Sequence, residues 1–169
     1  RAKQRTPELR DRLLRVAVAT LAREGPTALT TRRIAKGART SPPAVYELFG
    51  DKAGLMREMF FAGFGMLRRH FDRIKLSHDP IADLMRVIAG FRTFMLANPM
   101  LAQLMFMRRF ADFDPGPEEL VAGKAVRLFI IEQVRRCIAA GRLAGDETDI
   151  AHVLVSTAHG LAATEIAGW

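Results

Sequence analysis

Four histidines and one cysteine are the side chains of this 169-residue chain best suited to metal or covalent chemistry. Their spacing gives them little to work with. Asp149 and His152 stand three apart, on one face of a helical stretch, and such a pair can hold a metal. A di-iron helix bundle needs several carboxylates and two such motifs, and only this one is present. There is no His-Glu-x-x-His, no Gly-x-Ser-x-Gly and no phosphate-cradling glycine loop. No catalytic residue, metal site or cofactor is therefore expected. Cys137, being alone, excludes an internal disulfide and any cysteine-rich metal site, which fits a reducing cytoplasm.

A denser group of polar side chains lies in the run TTRRIAKGARTSPPAVYELFGDK, from Thr30 to Lys52. Thr30, Thr31, Arg32, Ser41, Tyr46 and Lys52 offer hydrogen-bond donors suited to an anion such as phosphate. Hydroxyls at helix starts act together with the outward-pointing N–H groups of the helix N-termini. Tyr46 is the only tyrosine, on a helix whose other face is apolar. It is either a core aromatic with an exposed hydroxyl or a phosphate contact.

The elements that must position these groups are short helices. Thr30 is a good N-cap, followed by Ile34, Ala35 and Ala38 at three-to-four spacing. Ser41 is the next N-cap, with Pro42 and Pro43 in a first turn that has no intrahelical use for their missing N–H groups. Val45, Leu48 and Phe49 form the buried side. A break near Arg39-Thr40 between two such helices predicts a helix-turn-helix unit. A preceding helix, Pro7 to Glu24, capped by Thr6 and stopped by Gly25-Pro26, completes a three-helix core. The basic tail Arg1 to Arg5 is placed to reach a groove or phosphates.

Charge agrees with this division. Residues 1–57 hold 13 Lys/Arg against 5 Asp/Glu, whereas residues 58–169 hold 13 of each, so the whole excess of +8 lies with the helix-turn-helix. A cationic module fused to a neutral, apolar one suits a reader of an anionic polymer joined to a sensor; the alternative is a basic surface that is merely solvated. The Arg-rich start lacks the apolar segment of a secretory signal. The most apolar region, Ile88 to Met107, is broken by Arg92, Asn98-Pro99 and Gln103, so no membrane span is expected.

Thr30, Arg32, Ile34-Ala35, Ala38, Ser41-Pro42, Val45-Tyr46, Phe49 and Lys52 together resemble the DNA-binding domain of the tetracycline-repressor (TetR) family of bacterial transcriptional regulators. The resemblance covers about the first third of the chain by motif and the rest by helix layout. It implies that Thr30, Thr31, Arg32, Arg39, Thr40, Ser41, Pro42, Pro43, Ala44, Tyr46 and Lys52 face double-stranded operator DNA. Base reading would come from the front of the helix after Ser41, Pro43 and Ala44 meeting thymine methyls, with Arg32 or Arg39 assisting and DNA shape adding specificity. One departure stands out. The family usually has glycine, then a small apolar residue, where this chain has Arg39 and Thr40. A left-handed Arg39 costs roughly 1 kcal/mol, unless Gly37, two residues earlier, shifts the turn. A cation there suits a helix C-terminus and nearby phosphate.

Beyond Asp51, which caps it, a helical pattern runs from Lys52 to about Leu76, roughly 35–40 Å, with no flexible linker. Further helices are expected from Asp79-Pro80 to Ala97, Asn98-Pro99 to Ala111, Pro117 to Ala140 after the DFDPG loop, and Glu147 to Gly168. The fold class is all-α, with residues 1–50 a helix-turn-helix DNA-binding domain and residues 51–169 a helical effector-binding and dimerisation domain. Phe60, Phe64, Phe91, Met95, Met105, Phe106 and Phe129 are core residues by spacing, and as a set are also suited to an apolar ligand cavity. Arg109, Gln133, His152, Ser156 and His159 are polar groups placed to orient a ligand, or else rim and surface. His159-Gly160-Leu161 resembles the C-terminal domain of a TetR subgroup with a Trp-His-Gly signature, although the tryptophan before the histidine is absent. Members usually carry one further helix that pairs across a dimer, so either a final helix is missing here or the dimer is unusual.

The resemblance implies a cytoplasmic homodimer, a regulator and more specifically a repressor, released by a small apolar effector and without membrane association. Two rivals remain at this point. One is a constitutive DNA-binding or interaction protein without effector; the other is a helical enzyme or carrier with a basic end.

Overall fold

The computed structural model describes residues 7–106 and 113–168, and every regular element among them is helical. In chain order these are α1 (Pro7–Glu24), a 3₁₀ turn (Pro26–Ala28), α2 (Thr31–Gly37), α3 (Pro42–Phe49), α4 (Lys52–Asp72), α5 (Pro80–Ala97), α6 (Pro99–Phe106), α7 (Pro117–Ala122), α8 (Lys124–Ala139) and α9 (Glu147–Ile166). This is the expected all-α class, a helix-turn-helix at the N-terminal end and helices throughout the rest. By density of internal contacts the chain forms two units, Arg1–Gly63 with Met100–Glu119, and Phe64–Pro99 with Leu120–Trp169. The expected Thr6 cap, the Arg1–Arg5 arm and the end of the sixth helix after Phe106 lie outside the described residues.

In the first unit, Leu9, Leu13, Ala17 and Leu21 recur every fourth residue along α1 and are buried. α1 packs on α2, where Ile34 and Ala35 are buried, and α2 packs on α3, where Val45 and Phe49 are buried. At 7 and 8 residues, α2 and α3 are too short to persist alone; helices under about 12–15 residues are marginal in water. Burial, worth about 1.5–3 kcal/mol for each fully covered Leu, Ile, Val or Phe, holds them. Two glycines permit close approach. Gly37 remains inside α2 because a Cβ there would lie 2.7 Å from Val16 Cγ1 of α1. At Gly54 a Cβ would collide with the Phe49 carbonyl oxygen, so only glycine allows the tight corner between α3 and α4. Asp51 Oδ1 accepts from Gly54 N at 2.8 Å, as a cap for α4.

Later in the same unit, Arg57 donates from Nε to Glu119 and from Nη2 to Glu118. Glu119 is buried, and its second oxygen accepts from Gly116 N at 2.9 Å. The Arg57 hydrogen bond outweighs burial and holds the Glu119 carboxyl below the usual range. Arg57 also lies over the Phe61 ring at 5.5 Å, and Phe113 meets Phe60 with 5.7 Å between ring centroids.

In the second unit α5, α8 and α9 pack on one another. Leu84, Val87, Phe91, Phe94 and Met95 meet Val126, Ile130, Ile131, Val134 and Cys137, with Ala151, Ala158 and Ala162 giving α9 a small-residue inner face. Phe71 of α4 stacks on Phe129 at 5.5 Å, and Arg68 covers Phe129 at 4.4 Å. Asp83 is fully buried. It accepts from Ser77 N at 3.0 and 2.9 Å, Ser77 Oγ at 2.8 Å, Arg136 Nη1 at 2.9 Å and Arg86. Burial alone pushes the Asp83 carboxyl up, but these hydrogen bonds, those of Ser77 foremost and then Arg136, prevail and hold it at about 2.

Two element boundaries differ from expectation. The long helix ends at Asp72 rather than near Leu76, because Ser77 is drawn out of register by Asp83 and Ile74 N closes the helix on Phe71 O at 2.9 Å. The helix expected from Pro117 to Ala140 is two, broken at Gly123, where a Cβ would lie 3.1 Å from the Phe64 ring. Nine α-helices are thus seen among the described residues where eight were expected.

Candidate nucleic-acid interface

The α2–α3 turn is where the sequence departed from the expected pattern, and its geometry is well defined. Thr40 N bonds Ala35 O at 2.9 Å, and Arg39 N bonds Lys36 O at 3.1 Å. This is the Schellman pattern that closes a helix and needs a left-handed residue after the cap. That residue is Arg39, with φ of 55°. The turn has not shifted to Gly37, which is held in α2 by its contact with Val16. The end of α8 makes the same pair of bonds, Arg142 N to Cys137 O and Gly141 N to Ile138 O, each 2.9 Å, with glycine in the left-handed place at φ of 66°.

Ser41 occupies the N-cap position of α3 but makes no side-chain cap bond. The reason lies in the two prolines. Pro43 has no N–H to donate, and Ala44 N is taken by the Ser41 carbonyl at 3.1 Å. The Ser41 hydroxyl is therefore not spent on the helix and is exposed. Thr30 does cap α2, its Oγ1 accepting from Arg33 N at 3.3 Å.

All the expected DNA-facing residues fall in one unit, on the first turn of α2, the α2–α3 turn, α3 and the first residue of α4. Thr30, Arg32, Arg39, Ser41, Pro43 and Tyr46 are exposed; Thr31, Thr40, Pro42 and Lys52 are half-buried. Thr31 Oγ1 and Tyr46 OH stand 3.4 Å apart, so the start of α2 meets the outer face of α3. Tyr46 is 51% exposed, which removes the core-aromatic alternative. Ala44 is a correction. At 8% exposure it lies with Val45 and Phe49 among the buried residues of α3 rather than among its exposed ones.

Not every arginine in the basic segment is equally available. Arg33 is paired with Glu24. Arg10 pairs with Glu58 at 2.5 Å and lies over the Phe49 ring at 5.7 Å, tying α1 to α3 and α4. Neither pairing was legible from the sequence, since partners 9 and 48 positions apart leave no local signal. Gly54 was also missed; an isolated glycine near a helix start is the only sequence sign of it.

The expected ligand residues divide between the two units. Phe60, Met105 and Phe106 belong to the first unit, and Phe64, Phe91, Met95, Phe129, Gln133, His152, Ser156 and His159 to the second; Arg109 lies outside the described residues. The Gln133 amide is engaged internally: Nε2 donates to Phe129 O at 3.3 Å and Oε1 accepts from Arg136 Nη1 at 2.8 Å. His152 and Ser156 are exposed, on the side of α9 away from its buried alanines, so they do not reach that unit's core. A cleft of about 490 Å³ in the first unit is lined by Ala53, Gly54, Arg57, Phe113, Asp114, Gly116 and Glu119, none of them an expected ligand residue. Asp149 and His152 are exposed, and among the described residues no three His, Cys, Asp or Glu side chains are grouped to hold a metal. Burial pushes the Cys137 thiol up, away from reactivity. No helix among the described residues is long and apolar enough to cross a membrane.

Comparison with known proteins agrees with the fold. Residues 13–59 match the family model of bacterial regulatory proteins of the tetR family, and residues 84–169 match that of the tetracyclin repressor-like C-terminal domain. The chain belongs to the TetR family. It is a DNA-binding transcriptional regulator and not an enzyme. Among solved structures, it is similar to a protein of unknown function from Rhodococcus sp. RHA1, with 28% identity, a TM-score of 0.84, and coverage of 99% of this chain and 88% of that one. It shares its fold with the fatty acid degradation regulator FadR of Bacillus halodurans, at 16% identity, a TM-score of 0.76, and 98% and 87% coverage. The TetR-family regulator PfmR of Thermus thermophilus gives 18% identity, a TM-score of 0.69, and 90% and 85% coverage. No curated protein sequence matches the chain.

Proposed function

We infer that this regulator is a ligand-responsive, cytoplasmic homodimer that acts as a repressor and is released by a small apolar effector. Residues 1–50 read operator DNA, and residues 51–169 bind the effector and dimerise. Each protomer places α3 in a major groove, the two grooves about 34–36 Å apart along the duplex. Thr30, Thr31, Ser41, Tyr46 and Lys52 hold phosphate, while Arg32, Arg39, Thr40, Pro42 and Pro43 stand at the base edges. The dimer forms through the uncovered sides of α8 and α9, where Leu128, Val153 and Leu161 are exposed. The Phe and Met residues of the second unit, Phe64, Phe91, Met95 and Phe129, with His159, provide the apolar site for the effector. It must bind the DNA-competent and released forms unequally, or no equilibrium moves.

The observation that carries this reading is the concentration of exposed donors on one helix-turn-helix face within the only basic segment of the chain. A constitutive regulator is the second reading, favoured by the internal engagement of Gln133 and the outward position of His152 and Ser156. The test is binding of the full chain to its own upstream DNA across a salt series, with and without a panel of apolar compounds. One site far tighter than random duplex, with a steep salt slope, is expected. Equal affinity for all duplexes refutes the specific regulator. Specific binding that no compound in the panel weakens favours the constitutive form.

A further inference from the structure

We propose that Lys36 is a phosphate contact of the operator complex, carried on a basic outer face of α2 that crosses one strand of the duplex. The inference rests on the DNA-binding reading above, with α3 in the major groove. Ile34, Ala35 and Ala38 are buried and fix the rotation of α2. Arg32 lies two positions before Ile34 and Lys36 two after it, so at 3.6 residues per turn both point about 160° away from Ile34. Both are exposed, one turn apart on the same side. Thr31, the neighbour of Arg32, meets Tyr46 at 3.4 Å, so this face borders the outer side of α3. On its other flank Gly37 lies against Val16 of α1, and Arg33 pairs with Glu24.

From Gly25 to Tyr46 the chain carries Arg32, Arg33, Lys36 and Arg39 and no carboxylate. Among the described residues Arg33 is paired, whereas the side chains of Arg32, Lys36 and Arg39 make no hydrogen bond or ion pair. Like charges four residues apart, as Arg32 and Lys36 are, disfavour a helix. An anion laid across them reverses the sign of that effect.

When the second helix of a helix-turn-helix enters the groove, the first crosses the backbone. That brings phosphates to the outer face of α2, with Lys36 over them and Arg32 and Arg39 to either side. A lysine suits the place. Its ammonium is a compact point charge on a flexible stem, without the planar fork that makes arginine a reader of base edges. Lys36 thus contributes affinity and register but no sequence information.

The experiment is titration of the full chain with its own upstream DNA and with random duplex across a salt series. The chains compared are wild type, Lys36→Gln, Lys36→Arg and Lys75→Ala, each with a thermal melt and a base profile from a randomised library. Lys75 is exposed and lies outside the basic segment, so its variant removes the same charge at a distance. All are expected to melt close to wild type, since both lysines are exposed. Lys36→Gln should lower the slope of log K against log salt by about 0.9 for each protomer and bind about tenfold more weakly at 0.1 M salt, on both duplexes. Its base profile should match that of wild type. Lys36→Arg should restore binding, and Lys75→Ala should leave the slope unchanged. A Lys36→Gln slope equal to that of wild type, or one matched by Lys75→Ala, overturns the proposal and leaves the regulator reading intact. So does a base profile that changes in Lys36→Gln, or an arginine variant as weak as the glutamine one. A wild type that binds every duplex equally overturns the regulator reading instead.

Discussion

Replacing Arg39 by glycine should leave the protein more stable than replacing it by alanine, although no contact is gained. Arg39 holds φ of 55° in a turn whose two closing bonds, 2.9 and 3.1 Å, match those around Gly141. A side-chain-bearing residue in the left-handed region costs about 1–2 kcal/mol. Glycine relieves that strain but has a freer unfolded chain, a loss of about 0.4–1 kcal/mol. The net gain over alanine is about 0.5–1 kcal/mol, or roughly 1–3 °C in Tm for a chain of this size. Alanine is the proper reference because Arg39→Ala also removes the cation from the C-terminal end of α2 while keeping the strain. Thermal melts of Arg39→Gly and Arg39→Ala at one protomer concentration give the comparison. The reciprocal change, Gly141→Ala, should lose stability of the same order. Both Arg39 variants should bind operator equally weakly, since each lacks the guanidinium. If Arg39→Gly is no more stable than Arg39→Ala, the turn is not strained as its geometry states.

Other expectations follow from particular contacts. Gly54→Ala should lower stability by about 1–3 kcal/mol and weaken operator binding, because the new Cβ meets the Phe49 carbonyl and must open the α3–α4 corner. Circular-dichroism melts and DNA titration check it, and an unaffected variant would show that the corner yields freely. Arg32→Ala should reduce the salt slope of DNA binding by about 1 for each protomer, whereas Arg33→Ala, whose guanidinium is already paired with Glu24, should reduce it less. Acid should act through Asp83. Its folded-state value of about 2 lies below the ordinary 3.8, so its stabilising contribution is complete above about pH 4 and is lost as pH falls through about 2. Melting temperature against pH should therefore drop more steeply between pH 4 and 2 for wild type than for Asp83→Asn, and equal slopes would refute that role.

The helix-turn-helix was legible because its signals are local. Thr30, the Pro42-Pro43 pair, and Ile34, Val45 and Phe49 at helical spacing each specify a start or a buried face within a few residues. The strained Arg39 was legible through the resemblance to the TetR family, which usually has glycine there. Boundaries decided by distant partners were not. Asp83 reads as an ordinary acidic residue in a first helical turn, yet it is fully buried and holds Ser77, just beyond where the long helix was expected to end. The single Gly123 gave no warning that Phe64, far away in sequence, would lie against it and divide one helix into two. The ligand residues were least legible, because composition cannot tell a packed Phe or Met from one lining a cavity.

Composition and spacing alone determined that this chain is helical, that its first third is a basic helix-turn-helix and that the remainder is apolar and neutral. These properties depend on residue types and short separations, which propensity, capping and charge count translate directly into structure. Tertiary structure alone decided which polar groups are spent and which are presented. It turned Ala44 inward and Tyr46 and Glu47 outward, and engaged Gln133 with Arg136. It also left the Ser41 hydroxyl outside the cap, since Pro43 has no N–H and Ala44 N goes to the Ser41 carbonyl. The rotation of α3 and the choice of hydrogen-bond partners depend on neighbours brought close only by packing, and that is where the surface offered to DNA was set.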